Sequence, residues 1–259
     1  MTLNVIFLGR ISFADSETIV NEYTYKRIHN TASDTLFLFE HPPTFTYHLE
    51  KDKTSIRDHT AFDRYITNTG ALLMHAHDRG GGFMYHGPGQ LIFAPVLRGR
   101  DIKEYQNLLQ ETMIQILERM FGICAFRITY NELLQCWMTE YGETLSLMDR
   151  AFHAHSEGVW VHHNETVKKI GFVGCRMYSA GDDQVISRGG ALNLCPDLAA
   201  FRLIDPCNLP GVEAASVQLL RRLRPRVERK LAYSAAEIFC SLFTYDTYSF
   251  HDWSLTHDQ

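Results

Sequence analysis

The stretch RGGGFMYHGPGQ, residues 79–90, is the part of the sequence that most restricts the fold. It places five glycines within twelve residues, between the apolar segments ALLMHAH at 71–77 and LIFAPVL at 91–97, which have the composition of strands. So many glycines predict a segment without regular structure, in which the backbone approaches a ligand closely and offers its N–H groups. Neither a dinucleotide-binding fingerprint nor a P-loop is present, so a nucleotide site is not indicated. A plain turn is the alternative, but arginine, tyrosine and histidine between the glycines are costly in a connector, which favours a binding site.

Size and composition are those of one folded enzyme domain. The chain has 259 residues, 45% hydrophobic and 21% charged, without repeats, so we predict a single domain over 1–259. The net charge of -5 argues against a general nucleic-acid binder. No apolar run is long enough to span a membrane and no signal peptide is evident, so we expect a cytoplasmic protein that binds neither nucleic acid nor membrane. The six cysteines lack the spacing of a disulfide framework or a zinc site.

Hydrophobic periodicity predicts the elements of the first half. Residues 3–13 and 35–40 have strand composition, and the segment between them has helical spacing over 16–28. The fold is therefore expected to begin β-α-β. An apolar face that recurs every three to four residues predicts a helix that Asp101 opens and Gly122 ends.

The second half combines a hairpin with helices. GVWVHH and KKIGFVGCRM are predicted to form a hairpin turned around Asn164 and Glu165, which has Lys169 on its second strand. The remaining predictions are an extended crossover at 130–156, a strand at 190–196, a short helix at DLAAF, a loop at 205–207 and helices at 213–223 and 226–243. Hairpins mixed with helices predict an α+β fold with a mixed, largely antiparallel sheet packed with helices.

Five ordered sequence blocks carry a resemblance to a known family. RGGGFMYHGPGQL closely resembles the RGG-x-x-TYHGPGQL segment of lipoyl(octanoyl) transferases. The other blocks are EHPPTFT at 40–46, GVWV at 158–161 ahead of KIGFVGCR at 169–176, GALNL at 190–194 and DPCNLPGVEAAS at 205–216. The similarity spans residues 36–217, and it implies the biotin/lipoyl protein ligase-like (class II synthetase-like) fold.

The resemblance implies a catalytic dyad of Cys207 and Lys169. A thiol becomes a nucleophile when its pKa falls from about 8.5 towards neutrality, which a neighbouring ammonium promotes. Strand alternation sends Lys168 and Lys169 to opposite faces, so only one of them can enter the site. Without the resemblance, a buried inert cysteine and a solvated strand lysine would be the simpler interpretations. The resemblance also implies substrate-binding residues, namely Arg79, Gly80, Gly81, Tyr85, His86, Gly87, Gly171, Gly174, Gly189 and Ala191.

The implied reaction is a two-step octanoyl transfer in lipoate biosynthesis. The Cys207 thiolate would take the octanoyl group from octanoyl-acyl carrier protein, and a protein lysine would then attack the thioester. The implied acceptors are lipoyl domains of 2-oxoacid dehydrogenases and the glycine cleavage H protein. The resemblance implies no cofactor and no metal, since the thioester is already activated. Phe83, Tyr85 and the strand residues near Val173 are candidates to line an acyl channel.

Two alternatives remain open on the sequence, and two departures from the family pattern bear on them. An ATP-dependent lipoate ligase would activate a free acid and would leave Cys207 without a role, whereas a degenerate paralogue would bind acyl groups without turnover. Met84 stands where the family usually has threonine, and Arg188 stands where it has histidine. Arg188 has three interpretations: it reinforces the thiolate, it binds the carrier's phosphopantetheine arm, or it marks a paralogue with altered substrate or lost activity.

The sequence also contains a histidine cluster and a basic cluster. The histidines at 153, 155, 162 and 163 straddle a loop and a strand, and adjacent histidines on a strand face opposite ways, so no metal site is predicted. The basic residues between Arg221 and Lys230 either steer an acidic carrier protein or form a solvated helix face.

Overall fold

A mixed sheet of nine strands organises the part of the chain that the structure describes. The computed structural model describes residues 1–76, 82–131, 136–145 and 157–253. The strands in these ranges are β1 (Thr2–Arg10), β2 (Thr35–Glu40), β3 (Thr44–Tyr47), β4 (Leu72–His75), β5 (Met84–His86), β6 (Gln90–Arg98), β7 (Ile128–Asn131), β8 (Cys136–Thr139), β9 (Thr144–Leu145), β10 (Gly158–His163), β11 (Thr166–Val173), β12 (Arg176–Ala180), β13 (Asp183–Ser187), β14 (Gly190–Asn193) and β15 (Thr247–Asp252). The helices are α1 (Phe13–Ile28), α2 (His59–Thr69), α3 (Ile102–Phe121), α4 (Leu198–Arg202), α5 (Val217–Arg221) and α6 (Arg229–Leu242), with 3-10 turns at Glu50–Ser55 and Pro206–Asn208.

Strand β6 lies at the centre of the large sheet. It pairs with β2, β13 and β14, and all three pairings are antiparallel. Strand β11 continues the sheet beside β14 and pairs with β10, again antiparallel, whereas β1 pairs in parallel with β2 and β15. The sheet is mixed and largely antiparallel, which confirms the predicted α+β class.

Helices cover both faces of this sheet. Along β2, Leu36 and Leu38 belong to the core that holds the apolar faces of α3 and α6, while Phe37 and Phe39 belong to the core under α1. Strand β2 is buried on both faces, which explains why its sequence TLFLFE is almost continuously apolar. The prediction for α3 is confirmed: Asp101 caps the N-terminus through its side chain, and Gly122 ends the helix at φ 62°.

The glycine-dense stretch is more regular than predicted. Residues 77–81 lie outside the described residues, but Met84–His86 form strand β5, which pairs antiparallel with β3. Strand β3 also pairs in parallel with β4, so the three strands make a small second sheet. The glycines thus flank a short strand with apolar residues that pack on the strand beside it.

Other segments also differ from prediction. The region around 130–156 contains a small antiparallel sheet of β7, β8 and β9 instead of a crossover, with 132–135 and 146–156 outside the described residues. The helix expected at 213–223 is reduced to Val217–Arg221, because residues 213–215 instead bond to the backbone of β11. The strand β15 was not predicted, and its partner β1 is almost the whole chain away in sequence.

The hairpin of β10 and β11 forms as predicted and places Lys169. Its turn residues Asn164 and Glu165 have φ of 49° and 62°, as a two-residue turn with two left-handed positions requires. Gly158 begins β10 opposite Phe172, and a Cβ there would stand 2.4 Å from Lys169 Cε and 2.5 Å from the Gly171 carbonyl oxygen. Glycine at 158 therefore makes the space that the lysine side chain occupies.

Gly158→Ala is expected to destabilise the protein by about 3 kcal/mol, because the new methyl group must displace either Lys169 or a strand carbonyl. Urea unfolding followed by circular dichroism measures this loss. The control is Gly181→Ala, which has the same change at φ 74° but no atom within 4 Å of the new methyl group. It should lose only about 1 kcal/mol, and equal losses in the two variants would contradict the packing argument.

Candidate active site

Lys169 is buried in the middle of the molecule, with only 1% of its surface exposed. Two backbone hydrogen bonds fix the residue: the backbone N–H of Lys169 donates to the Glu213 carbonyl at 2.9 Å, and the Lys169 carbonyl accepts from the Ala215 N–H at 2.8 Å. The Nζ atom lies 5.2 Å from the ring centre of Trp160 and 5.3 Å from that of Phe172. The two aromatic faces stabilise the ammonium.

The neighbouring lysine faces the other way, as strand alternation predicted. Lys168 forms an ion pair with Glu213 at the surface side of β11. The side chain of Lys168 therefore lies on the opposite side of β11 from the buried side chain of Lys169.

Burial controls the electrostatics of Lys169. Removal of the ammonium from water lowers the pKa of Lys169, while the negative charges of Cys207 and Glu157 oppose the shift by favouring the charged form. Cys207 is the larger of these two opposing influences. This influence acts between the two residues that the family pattern paired, which lie 38 positions apart in sequence.

Cys207 lies in a tight turn and is 8% exposed. It has φ 60°, and Asn208 follows at φ 57°, so two successive residues with side chains adopt the left-handed conformation. The Cys207 N–H donates to the Phe83 carbonyl at 3.0 Å, and Cys207 Sγ lies 3.2 Å from Met84 Sδ. Non-glycine residues hold such dihedrals only where surrounding contacts fix them.

Asn208 supplies those contacts. Its Oδ1 accepts from Ser55 Oγ at 2.6 Å and from the Phe83 N–H at 3.1 Å, and its Nδ2 donates to Asp52 Oδ1 at 3.0 Å. A Cβ at Gly82 would lie 2.3 Å from the Asn208 side chain, so the glycine is needed for this approach. One amide thus ties the cysteine turn both to the glycine-dense stretch and to the 3-10 turn at Glu50–Ser55.

Cys207 and Met84 form part of the wall of an apolar cavity between α1 and the large sheet. Most of its wall is hydrocarbon, contributed by Phe13, Val20, Phe39, Met84, Ile92, Phe93, Ala94, Phe172, Val173 and Ala191. The polar groups on the wall are Ser16, Glu17, His41, His86, Cys175, Arg188 and Cys207. Such a wall suits an extended apolar group that ends at a reactive sulfur.

Only some of the predicted binding residues line the cavity. His86, Gly174, Gly189 and Ala191 line the cavity, and Arg79, Gly80 and Gly81 lie outside the described residues.

Tyr85 and Phe83 were expected on the cavity wall but are not among its lining residues. The Tyr85 ring lies 5.0 Å from that of Phe45, in a core that also includes the cavity residues Met84 and Cys207. Strand alternation explains this correction, since Met84 and His86 take the cavity face of β5. Gly87 and Gly171 also serve packing: a Cβ at Gly87 would lie 2.3 Å from the Tyr85 hydroxyl, and one at Gly171 would lie 2.9 Å from Met113 Sδ.

A buried chain of amides behind the cavity was not anticipated. His86 Nδ1 bonds to Gln90 Oε1 at 2.8 Å, and Gln90 Nε2 donates to Asn193 Oδ1 at 2.9 Å. Asn193 Nδ2 then donates to the Ala215 carbonyl at 2.9 Å, and Ala215 is bonded to the backbone of Lys169. Because Gln90 presents its oxygen to the ring, His86 carries its proton on Nδ1. The glutamine and the asparagine were present in the HGPGQ and ALN blocks, but only the fold shows that they touch.

His41 is a second cavity histidine that sequence reasoning missed. Burial lowers the pKa of His41 to about 4, against the opposing effect of its bond to the Ile11 carbonyl. The ring is therefore neutral at pH 7 and donates from Nδ1 to that carbonyl at 2.8 Å. The EHPP block contained this histidine, and its place in one of the five family blocks was the available signal.

A family model described as "Lipoyl protein ligase A/B catalytic domain" matches residues 17–224. The chain belongs to this family. The match covers Lys169 and Cys207 and confirms the resemblance drawn from the sequence blocks.

Curated relatives of this family member are named octanoyltransferases. That of Alkaliphilus metalliredigens is 30% identical over 84% of this chain and 85% of its own length. The octanoyltransferase of Chloroflexus aurantiacus is 28% identical over 92% of this chain and 94% of its own length. The mitochondrial octanoyltransferase LIP2 of Arabidopsis thaliana is 31% identical over 84% of this chain and 78% of its own length.

Solved structures of lipoate ligases have the same fold as this chain. Lipoate-protein ligase A bound with ATP superposes with a TM-score of 0.59 at 16% identity, over 97% of this chain and 88% of that chain. A bipartite lipoate protein ligase from Thermoplasma acidophilum superposes with a TM-score of 0.58 at 14% identity, over 97% of this chain and 87% of that chain. At these identities the likeness confirms the predicted fold and nothing about the reaction.

A metal site and a membrane-spanning helix are both absent from the described residues. No group of three or more His, Cys, Asp or Glu residues could hold a metal ion there, and His162 instead bonds Glu143 at 3.1 Å. Within the same residues, no helix combines the length and apolarity needed to cross a membrane.

Asn208→Ala is expected to destabilise the protein by about 3 kcal/mol, since it leaves buried partners of the amide unsatisfied and removes a residue tolerant of the left-handed conformation. Urea unfolding measures the change. Asn30→Ala is the matched control, because Asn30 has φ 56° on an exposed turn. If both variants lost the same stability, the bonds of Asn208 would not be what holds the cysteine turn.

Proposed function

We propose that the chain is an octanoyltransferase that moves an octanoyl group from acyl carrier protein to a lysine of a lipoyl-accepting domain, through a thioester on Cys207. The observation that carries this proposal is the coupling of a buried lysine to a cysteine on the wall of an apolar cavity. A cavity of this kind holds a fatty chain, and the sulfur at its wall is the natural point of attachment.

The first step forms the acyl-enzyme. Because burial favours its neutral form, the Lys169 amine accepts the thiol proton of Cys207, and the resulting ammonium stabilises the thiolate. The thiolate attacks the thioester carbonyl, and the tetrahedral adduct expels the carrier thiolate. Lys169 returns its proton to that leaving group, so the step ends with an acylated Cys207, a free carrier thiol and a neutral lysine.

The second step releases the product. The amine of the acceptor lysine attacks the Cys207 thioester, and Lys169 takes the proton that the attacking nitrogen loses. Collapse of the adduct forms the amide and expels the Cys207 thiolate, which the Lys169 ammonium stabilises again.

The oxyanion of each tetrahedral adduct needs a hydrogen-bond donor or a positive charge, and the backbone N–H groups nearest to the sulfur are already bonded. The Cys207 N–H is bonded to the Phe83 carbonyl, and the Asn208 N–H is bonded to the Asp205 carbonyl at 3.0 Å. The positive charge of Lys169 is the group of the described site best suited to this task.

The transferase is favoured over its two rivals. Relatives that cover most of the chain are named octanoyltransferases, whereas the ligases share the fold at much lower identity. Ligase chemistry through an acyl adenylate gives Cys207 no role. A degenerate binding protein would not need a buried lysine coupled to a thiol, since an isolated buried ammonium is costly.

The exposed arginines near α5 are the surface that fits an acidic carrier protein. Arg222, Arg224 and Arg226 are exposed, while Arg221 bonds the carbonyl groups that end α3. The cluster is a basic patch on a protein of net charge -5, which favours electrostatic steering of an acidic partner.

Incubation with octanoyl-acyl carrier protein alone should add one octanoyl mass to Cys207, detected by intact-protein and peptide mass spectrometry. Cys207→Ala should show no adduct, whereas Cys124→Ala, which removes an exposed free thiol, should be acylated like the parent. An adduct that forms only with ATP and free octanoic acid would support the ligase instead. Transfer to a lipoyl domain then separates turnover from mere trapping.

Lys169→Met should slow acylation at pH 7 by about 100-fold, and it should shift the rise of the rate to higher pH. Loss of the ammonium removes the positive charge that would stabilise the thiolate, so a higher pH is needed to form the nucleophile. The measurement is the rate of acyl-enzyme formation against pH. Lys168→Met is the control, since its side chain pairs with Glu213 outside the site. An unchanged pH profile in Lys169→Met would refute the dyad.

A further inference from the structure

An ion pair of Glu17 and Arg188 forms part of the cavity wall. Arg188 Nη1 lies 2.7 Å from Glu17 Oε1, and Nη2 lies 2.8 Å from Glu17 Oε2 and 2.9 Å from Asn21 Oδ1. The guanidinium charge is therefore compensated by a carboxylate in fork geometry. This arrangement disfavours the interpretation that Arg188 acts as a second cation for the thiolate.

One donor of this arginine is not satisfied. The side chain of Arg188 is only 11% exposed, and its buried Nε has no hydrogen-bond partner among the residues that the structure describes. Buried N–H groups are almost always paired, because the loss of water is otherwise not compensated. An orphaned donor on the wall of a substrate cavity is best explained by an acceptor that the substrate brings.

The strand register separates the backbone next to Arg188 from Lys169 along the sheet. Gly190, two residues after Arg188, is paired with Val173 on β11, and the Gly174 N–H bonds the Gly189 carbonyl at 2.7 Å. Val173 is four residues along the strand from Lys169, which corresponds to about 13 Å. An acyl chain attached to Cys207 and extended along β11 would bring its far end to Arg188.

The remaining wall defines the chemistry of that far end. Phe13, Val20 and Ile92 offer hydrocarbon to the methylenes, so the body of the chain must be apolar. A carboxylate at the far end would meet the charge of Glu17 and would lose its own hydration. A neutral oxygen satisfies the Nε–H donor without either penalty.

We propose that the cavity selects a medium-chain acyl thioester with a neutral hydrogen-bond-accepting oxygen, a hydroxyl or a ketone, near its far end, and that Arg188 Nε–H binds this oxygen. The inference rests on the proposed acyl transfer through Cys207. It assigns to Arg188 a specificity role in place of the three interpretations that the sequence left open.

The test is a competition between three acyl carrier protein thioesters: plain octanoyl, octanoyl with a hydroxyl on the terminal carbon, and octanoyl with a hydroxyl on the third carbon. The ratio of the adduct masses on Cys207 at early times gives the selectivity. We expect the terminal hydroxyl to be preferred over the plain chain by about tenfold, the effect of one additional hydrogen bond to a charged group. The third-carbon hydroxyl lies near the thioester and should gain no such preference.

Glu17→Gln/Arg188→Met removes the donor without leaving a lone charge, and it should abolish the preference for the terminal hydroxyl. If this variant fails to fold, Arg188→Lys keeps the pair with Glu17, lacks the Nε–H group and should also weaken the preference. The control Arg27→Met removes a partly buried arginine that pairs with Asp34 away from the cavity, and it should keep the parental ratio. A ratio near one in the parent, or one unchanged in the donor variants, overturns the inference while adducts on Cys207 still support the transferase. Absence of any adduct overturns the proposed function itself.

Discussion

The burial of one lysine amine is the constraint around which the site is organised. An ammonium removed from water is unstable unless aromatic faces, a thiolate or a carboxylate replace the lost hydration. Around Lys169 these groups are the rings of Trp160 and Phe172 and the charges of Cys207 and Glu157. The same low-polarity surroundings make the neutral amine accessible, and so the lysine can exchange a proton with the thiol instead of remaining a fixed cation.

Residues distant in sequence accommodate the buried lysine. Gly158 on the neighbouring strand leaves the space for the lysine side chain, and residues 213–215 fix its backbone from the other side. The cysteine is held independently, by a turn whose strained dihedrals depend on the amide of Asn208. Nucleophile and partner thus sit on separate rigid supports, an arrangement that keeps their geometry fixed while a substrate enters and leaves.

The cavity contains more polar groups than a simple fatty-chain channel requires. His41 is kept neutral by burial, and the charge of Arg188 is cancelled by Glu17, so neither presents a net charge to a hydrocarbon chain. Compensated polar groups are compatible with an apolar ligand, but they also offer directional hydrogen bonds. On the proposed specificity, arginine in place of the usual histidine of the family changes which chains are recognised and leaves the proposed chemistry at Cys207 unaltered.

The sequence by itself determined what depends on local pattern. Strand alternation separated Lys168 from Lys169, capping residues set both ends of α3, and the ordered blocks identified the family, because each of these signals lies within a few neighbouring residues. It also indicated Cys207 as the nucleophile, a role that stays a proposal. Only the tertiary structure decided that Met84 and His86, rather than Phe83 and Tyr85, face the cavity, and that Arg188 is neutralised by Glu17. Those outcomes depend on which distant elements pack together, and a side chain acquires its neighbours only when the whole sheet has formed.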